Sequence, residues 1–326
     1  IALTALLASI SATAEPQNAA PTVSEQEAAA STAPVPEMPA TGVPATGMPA
    51  TGMPATGMPA TGMPATGVPA TGMPTTSYER TEQREPCADY RPLRQPLFGD
   101  LHVHTSLSFD SYISSQRNTP ADAYRYARGE AITLPDADAN QVIKARIQRP
   151  LDFTAVTDHA EFLGPIRLCT SPDSGMARWF PGCIATRSEL FPVQFLAADY
   201  WQGLGVSGDE EVKEQSMVCS LGDCDAAHRE AWQQIQDAAE EHYDRSADCQ
   251  FTTFIGYEYT DAPNFANLHR NVIFRNERVT DIAISTYDTG SRNVPELWRR
   301  LRSECIDGDQ GCDVLAIPHN PNLSAG

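Results

Sequence analysis

From Met38 to Gly72 the chain repeats a five-residue unit, Met/Val-Pro-Ala-Thr-Gly, and this limits where a fold can form. Each unit carries a proline, which removes a backbone donor, and a glycine, which loses the most freedom on folding. Neither a helix nor a β-ladder can run through it, and its small side chains bury little. The period of five rules out a collagen helix, which needs glycine at every third position. The unit also looks like a sortase sorting signal, but such signals stand near a C-terminus, before an apolar tail. Its Thr-Pro richness is compatible with O-glycosylation. Residues 15–85 therefore read as a disordered linker, and the foldable part is 86–326 of the 326 residues.

The stretch before the linker has a different character. Ile1 to Ile10 is apolar and Ser11-Ala12-Thr13-Ala14-Glu15 offers small residues for cleavage. Residues 1–14 thus resemble the remnant of a secretory signal that lacks its basic start. They are too short for a membrane span, so no stable span is expected in the mature protein.

Eight cysteines, an even count, fit an oxidising compartment, either periplasmic or extracellular. Cys219 and Cys224, Cys305 and Cys312, and Cys169 and Cys183 are near enough for local disulfides. Cys87 and Cys249 would then remain to pair, although spacing alone leaves the connectivity open. No CxxC pair is present, which ranks a cysteine-based zinc site below disulfides.

A formal net charge of -19 argues against a nucleic-acid partner, which requires basic patches. Small anionic substrates stay possible, because bound divalent cations would invert the local field. Oligomeric state is not legible.

In the foldable part, apolar runs alternate with helical patterns. Leu97 to His104, Asp152 to Thr157, Phe251 to Tyr259, Leu268 to Arg275 and Asp313 to Ile317 read as strands. Thr119-Pro120 opens a helix to about Arg128, Ala226 to Tyr243 has helical spacing, and Val294 to Leu301 looks helical. A cysteine-containing insertion occupies about 163–225. The alternation implies an α/β fold with a parallel sheet or barrel. The runs 251–259 and 268–276 are too close for a helical crossover, so they form either a hairpin or a short barrel step.

His102 and His104, at i and i+2 on a strand, share a face and can hold one ion. Asp158-His159 ends the next strand, Glu258 ends another, His269 begins a fourth and His319 follows a fifth. Five of the seven histidines thus stand at strand ends, where parallel α/β folds gather their sites. His228 and His242 lie on an acidic helix and read as solvated. Mixed imidazole and carboxylate donors suit zinc, manganese or iron. A lone histidine at a strand end is more often a hydrogen-bonding residue, and Asp110 alone could merely cap a turn. The joint pattern points to metal.

Asp100-Leu-His-Val-His-Thr105, Thr157-Asp-His159, Glu258, His269 and Pro318-His-Asn320 resemble successive motifs of the polymerase and histidinol phosphatase (PHP) superfamily. Phe98 to Tyr112, Thr157 to Phe162 and Asn267 to Phe274 are similar to a bacterial group known as domain of unknown function 3604. The resemblance implies a distorted (β/α)7 PHP-type barrel, truncated at the C-terminus, with two or three divalent ions. Carried over, His102 and His104 would hold one ion and Glu258 would bridge it to a second, completed by His269 and His319. His159 and Asp110 would serve a third, and Asp158 is a further metal candidate. The superfamily's final Asp-x-His is absent and is expected after Gly326.

The expected activity is hydrolysis of a small anionic phosphate, phosphonate or sulfate ester by a metal-bridging hydroxide. Glu161 is a candidate proton shuttle, with a surface carboxylate as the alternative. Arg270 and Asn320 are candidates to orient substrate oxygens. An amidohydrolase-like enzyme is the second reading, weakened because the only lysines, Lys144 and Lys213, lie outside strand ends. A non-catalytic, metal-binding envelope protein is the third.

Overall fold

The computed structural model describes residues 84–90, 93–134, 142–207, 216–264, 266–308 and 311–319. The signal-like stretch, the repeat, Lys213 and Asn320 lie outside the described residues.

Five strands form one mixed sheet: β1 (Gly99–Val103), β2 (Phe153–Val156), β3 (Thr252–Tyr259), β4 (Arg270–Phe274) and β5 (Val314–Pro318), in that spatial order. Helix α1 (Pro120–Ala127) joins β1 to β2. Helices α2 (Leu163–Thr170), α3 (Phe191–Gly205) and α4 (Cys224–His242) lie between β2 and β3, and α5 (Val294–Leu301) lies between β4 and β5. The first three strands are parallel, as helical crossovers dictate.

Strand β3 is divided by its partners. Its first half, Thr252 to Ile255, pairs parallel with β2, and its second half, Gly256 to Tyr259, pairs antiparallel with β4. A Cβ at Gly256 would stand 2.9 Å from the Val272 carbonyl oxygen, so glycine permits this close approach. The open choice for 251–276 therefore resolves as antiparallel neighbours. β5 is antiparallel to β4 as well.

The expected seven-stranded barrel is not present among the described residues; the sheet is five-stranded and mixed, and it does not close. The physical reason is the short β3–β4 connection, which reverses the chain where a barrel would need a crossover. The sheet is nevertheless strongly curled. Asn271 of β4 donates from Nδ2 to the Leu101 carbonyl of β1 at 2.8 Å, across the two intervening strands.

One face of the sheet is covered by α1 and α4. Thr119 caps α1 through a capping box with Asp122, and Asp223 caps α4 by accepting from the Ala226 amide. Trp232, Ile235 and Ala239 of α4 are buried against Tyr257, Val272 and Phe274. Each such large side chain contributes about 1.5–3 kcal/mol on burial. The Tyr124 hydroxyl donates to the Phe254 carbonyl (3.1 Å) and accepts from the Val156 amide (3.2 Å), locking α1 onto β2 and β3.

His242 is not solvated: its ring is buried, stacks on Tyr124 and places Nδ1 2.9 Å from the Ala238 carbonyl. His228 is half-buried, and burial lowers its pKa. Both fall on the same helical stripe as Trp232, Ile235 and Ala239, and that spacing outweighs the acidic composition of the helix.

The insertion builds a second core from Phe162, Ile166, Ala197 and Trp201 around the Cys169–Cys183 disulfide. The other disulfides join Cys87 to Cys249, Cys219 to Cys224 and Cys305 to Cys312. Four disulfides fit an extracellular or periplasmic environment. Among the described residues no helix is long and apolar enough to cross a membrane.

Candidate metal centre

At the ends of the strands, six side chains gather around one carboxylate, that of Glu258. Glu258 closes β3 and is buried, held there by a backbone ladder that continues past β2: its amide donates to the Asp158 carbonyl at 3.0 Å. Its two oxygens face different pairs of histidines. Oε2 lies 2.8 Å from His104 Nε2 and 3.1 Å from His102 Nε2. Oε1 lies 2.7 Å from His269 Nδ1 and 2.9 Å from His319 Nε2.

A second carboxylate faces the outer side of the cluster. Asp110 stands on a short helix, Phe109–Ile113, and both of its oxygens are 3.1 Å from His104 Nδ1. His159 sits between the carboxylates, 3.6 Å from Asp110 and 3.8 Å from Glu258. His102 and Asp110 are the accessible members, their side chains 41% and 44% exposed, whereas that of Glu258 is 2% accessible. The site therefore opens at His102 and Asp110 and is deepest at Glu258.

The electrostatics follow from this crowding. Burial would raise the pKa of Glu258, but the His159 charge and hydrogen bonds from His102, His104 and His269 hold it well below the carboxylate range. Burial also favours neutral Asp110, and His104 and His159 overcome it in the same direction. Burial alone would lower His104; its bonds to Asp110 and Glu258 win and push it up to about 10. Burial lowers His159 towards the neutral imidazole, the form that ligates metal.

The donor set fits a cation. His102, His104 and Glu258 form one group with ligand atoms within 4.8 Å of one another; His104, Asp110 and His159 form a second, and His159, Glu258 and His269 a third. This buried His/carboxylate cluster could hold a metal ion. Direct contacts between these imidazoles and carboxylates are the ones that bonds to a divalent ion would replace.

Three other residues singled out in the sequence stand elsewhere, and a fourth lies outside the described residues. Asp158 is fully buried and turned towards Thr105, accepting from its amide at 2.5 Å and its hydroxyl at 2.7 Å. It belongs to none of the three donor groups. Glu161 is buried, not a surface carboxylate, and Oε1 accepts from the Thr260 and Thr286 amides, both at 3.0 Å. The Thr260 hydroxyl bonds to His159 Nδ1, so Glu161 acts on the cluster by positioning Thr260. Arg270 points to the helix side of the sheet, near the rings of Tyr259 and Trp298, and donates to the Leu268 carbonyl. Asn320 lies outside the described residues.

Three residues of the site escaped the sequence reading. Ser108 Oγ is 3.1 Å from His104 Nδ1, Thr260 orients His159, and Asn271 pins the strand that carries His102. Ser108 and Thr260 each stand within two residues of a ligand candidate, the usual place for supporting hydrogen bonds. Asn271 had no such signal beyond its place in the His269 motif. Lys144 is exposed on a small hairpin of Ile132–Leu134 and Ile143–Ala145, away from the cluster.

The family described as "Protein of unknown function (DUF3604)" matches residues 91–326. This span contains every strand of the sheet and every member of the cluster. The chain belongs to that family. No curated protein and no solved structure matches the chain.

Proposed function

We propose that this chain is an exported, metal-dependent hydrolase of the PHP superfamily that cleaves phosphate, phosphonate or sulfate esters. The observation that carries the reading is the division of Glu258, with one oxygen facing His102 and His104 and the other facing His269 and His319. A carboxylate so placed suits a bridge between two divalent ions, and His104, Asp110 and His159 bound a third position. Zinc, manganese and iron match this donor chemistry. When bound, such ions supply positive charge for an ester oxygen and acidify water.

The chain's own residues set the conditions for this chemistry. Glu258 and Asp110 stay ionised, and Glu258 holds its charge in a buried place. His104 gives up its proton when a cation takes its place, and Ser108 and Asp110 fix the orientation of its ring. His102 and Asp110 stand at the open side, where a substrate would enter. A cation-lined pocket in a chain of net charge -19 favours small anionic esters over nucleic acid or acidic macromolecules. The four disulfides support export.

The test is metal analysis of the full chain together with turnover of 4-nitrophenyl phosphate and 4-nitrophenyl sulfate. Bound divalent metal and hydrolysis of at least one ester are expected. Metal without turnover would favour a binding protein, and turnover of amides alone an amidohydrolase. A chain that takes up no zinc, manganese or iron and turns over neither ester overturns the proposal.

A further inference from the structure

Asp110 stands on a helix of only five residues, Phe109–Ile113. So short a helix is not stable in water by itself, and its position depends on tertiary packing. Phe109 and Ile113, four residues apart, share a face, and both pack against the second core, the one built by the insertion. Gln194 of α3 adds a polar contact from the insertion, donating from Nε2 to Ser115 Oγ at 3.1 Å.

The Phe109 ring joins this core to the cluster. Its centroid is 4.6 Å from that of Phe162, in an edge-to-face contact, and 6.4 Å from that of Trp201. It is also 5.0 Å from the centroid of the His159 ring. Trp201 is fully buried and is anchored within the insertion by Nε1, which donates to Thr186 Oγ1 at 2.9 Å. The Thr260 hydroxyl fixes His159 at Nδ1, whereas Phe109 bears on the ring itself. Phe109 therefore touches His159 and, as its chain neighbour, carries Asp110. These are two of the three donors in the outer group of His104, Asp110 and His159.

We propose that Phe109 is a positioning residue for the outer cation position, and that the insertion, which holds Phe109 through Phe162 and Trp201, is the element that builds this position. The histidine pairs on either side of Glu258 come from strand ends of the sheet and form without it. The assignment rests on the metal reading of the cluster and adds a dependence to it: the outer position exists only where the insertion is folded around Phe109.

The test uses the full chain, stripped of metal with a chelator and titrated with zinc in a calorimeter. The binding step that Asp110→Asn removes marks the outer position. Phe109→Ala should weaken that step at least about tenfold and leave the remaining steps within about twofold. In the Asp110→Asn background, Phe109→Ala should change zinc binding by no more than about twofold, because the position it serves is already lost. A general loosening of the fold would instead lower every step and add to the Asp110→Asn loss. Trp201→Phe keeps an apolar ring in the insertion core but shortens its reach. It should weaken the same step at least about threefold, and it stands in for the alanine variant if that one does not fold. An outer step undiminished in the folded variants, an equal loss in every step, or a full Phe109→Ala loss in the Asp110→Asn background overturns the proposal. So does an Asp110→Asn chain that keeps every step. Zinc uptake with any of these results leaves the metal reading standing, whereas no uptake by the unaltered chain overturns the metal reading and the proposal together.

Discussion

His102 and His319 stand side by side, ring centroids 4.2 Å apart, although they come from strands at opposite edges of the sheet. The curl of the sheet makes this possible, and the Asn271 side chain, reaching from β4 to the Leu101 carbonyl, holds the curl at the site. The cluster is therefore a tertiary object whose members depend on one another's placement.

Glu258→Gln removes the one side chain that faces both histidine pairs. Divalent metal affinity should fall by at least about 100-fold, measured by calorimetric titration of zinc. Undiminished uptake in this variant would mean that the metal, if bound, sits elsewhere.

Asn271→Ala should loosen β1 from β4. The lost hydrogen bond is worth about 1 kcal/mol in urea unfolding. Zinc affinity should drop further than a stability change of that size explains, because His102 follows the clamped Leu101. A variant with lower stability and unaltered zinc affinity would assign Asn271 to the scaffold alone.

Asp158 provides a pH signature in the metal-stripped protein. Burial raises it from 3.8 to about 6, against the His104 charge and the two bonds from Thr105. The folded protein keeps this proton up to about pH 6, while the unfolded chain loses it near 3.8. The contribution is thus fully present below the lower value, declines as pH rises between the two, and is gone above the higher one. Its size is about 3 kcal/mol. The stability of the unaltered chain relative to Asp158→Asn should fall by about that amount between about pH 3 and about pH 7 in urea titrations. A pH-independent difference would contradict it.

The disulfides should differ in weight according to the loops they close. Cys87–Cys249 spans 162 residues and Cys219–Cys224 only 5. Chain entropy gives about 5 kcal/mol for the first and about 2 kcal/mol for the second. Replacing each pair by alanine and comparing urea midpoints tests the order. A larger loss from the short loop would show that contacts around Cys224, where α2 and α4 meet, dominate.

The sequence by itself determined the elements and the identities of the ligand candidates. Apolar runs ending in His or Glu marked the strands to within a few residues, and Thr119-Pro120 marked a helix start, because caps and periodicities are local. Local disulfide pairs were legible for the same reason. The acidic composition of α4 suggests a solvated His242, but its place on the buried stripe of the helix decides its burial. Asp158, Glu161 and Arg270 could not be assigned from sequence, since a residue beside a ligand may face the cluster, the backbone or the far side of the sheet. Tertiary structure alone decided that Glu258 divides its oxygens between two histidine pairs and that the sheet curls without closing. Direction reverses at Gly256, and side chains from both edges then meet; such contacts depend on strand order and curvature, which no local spacing encodes.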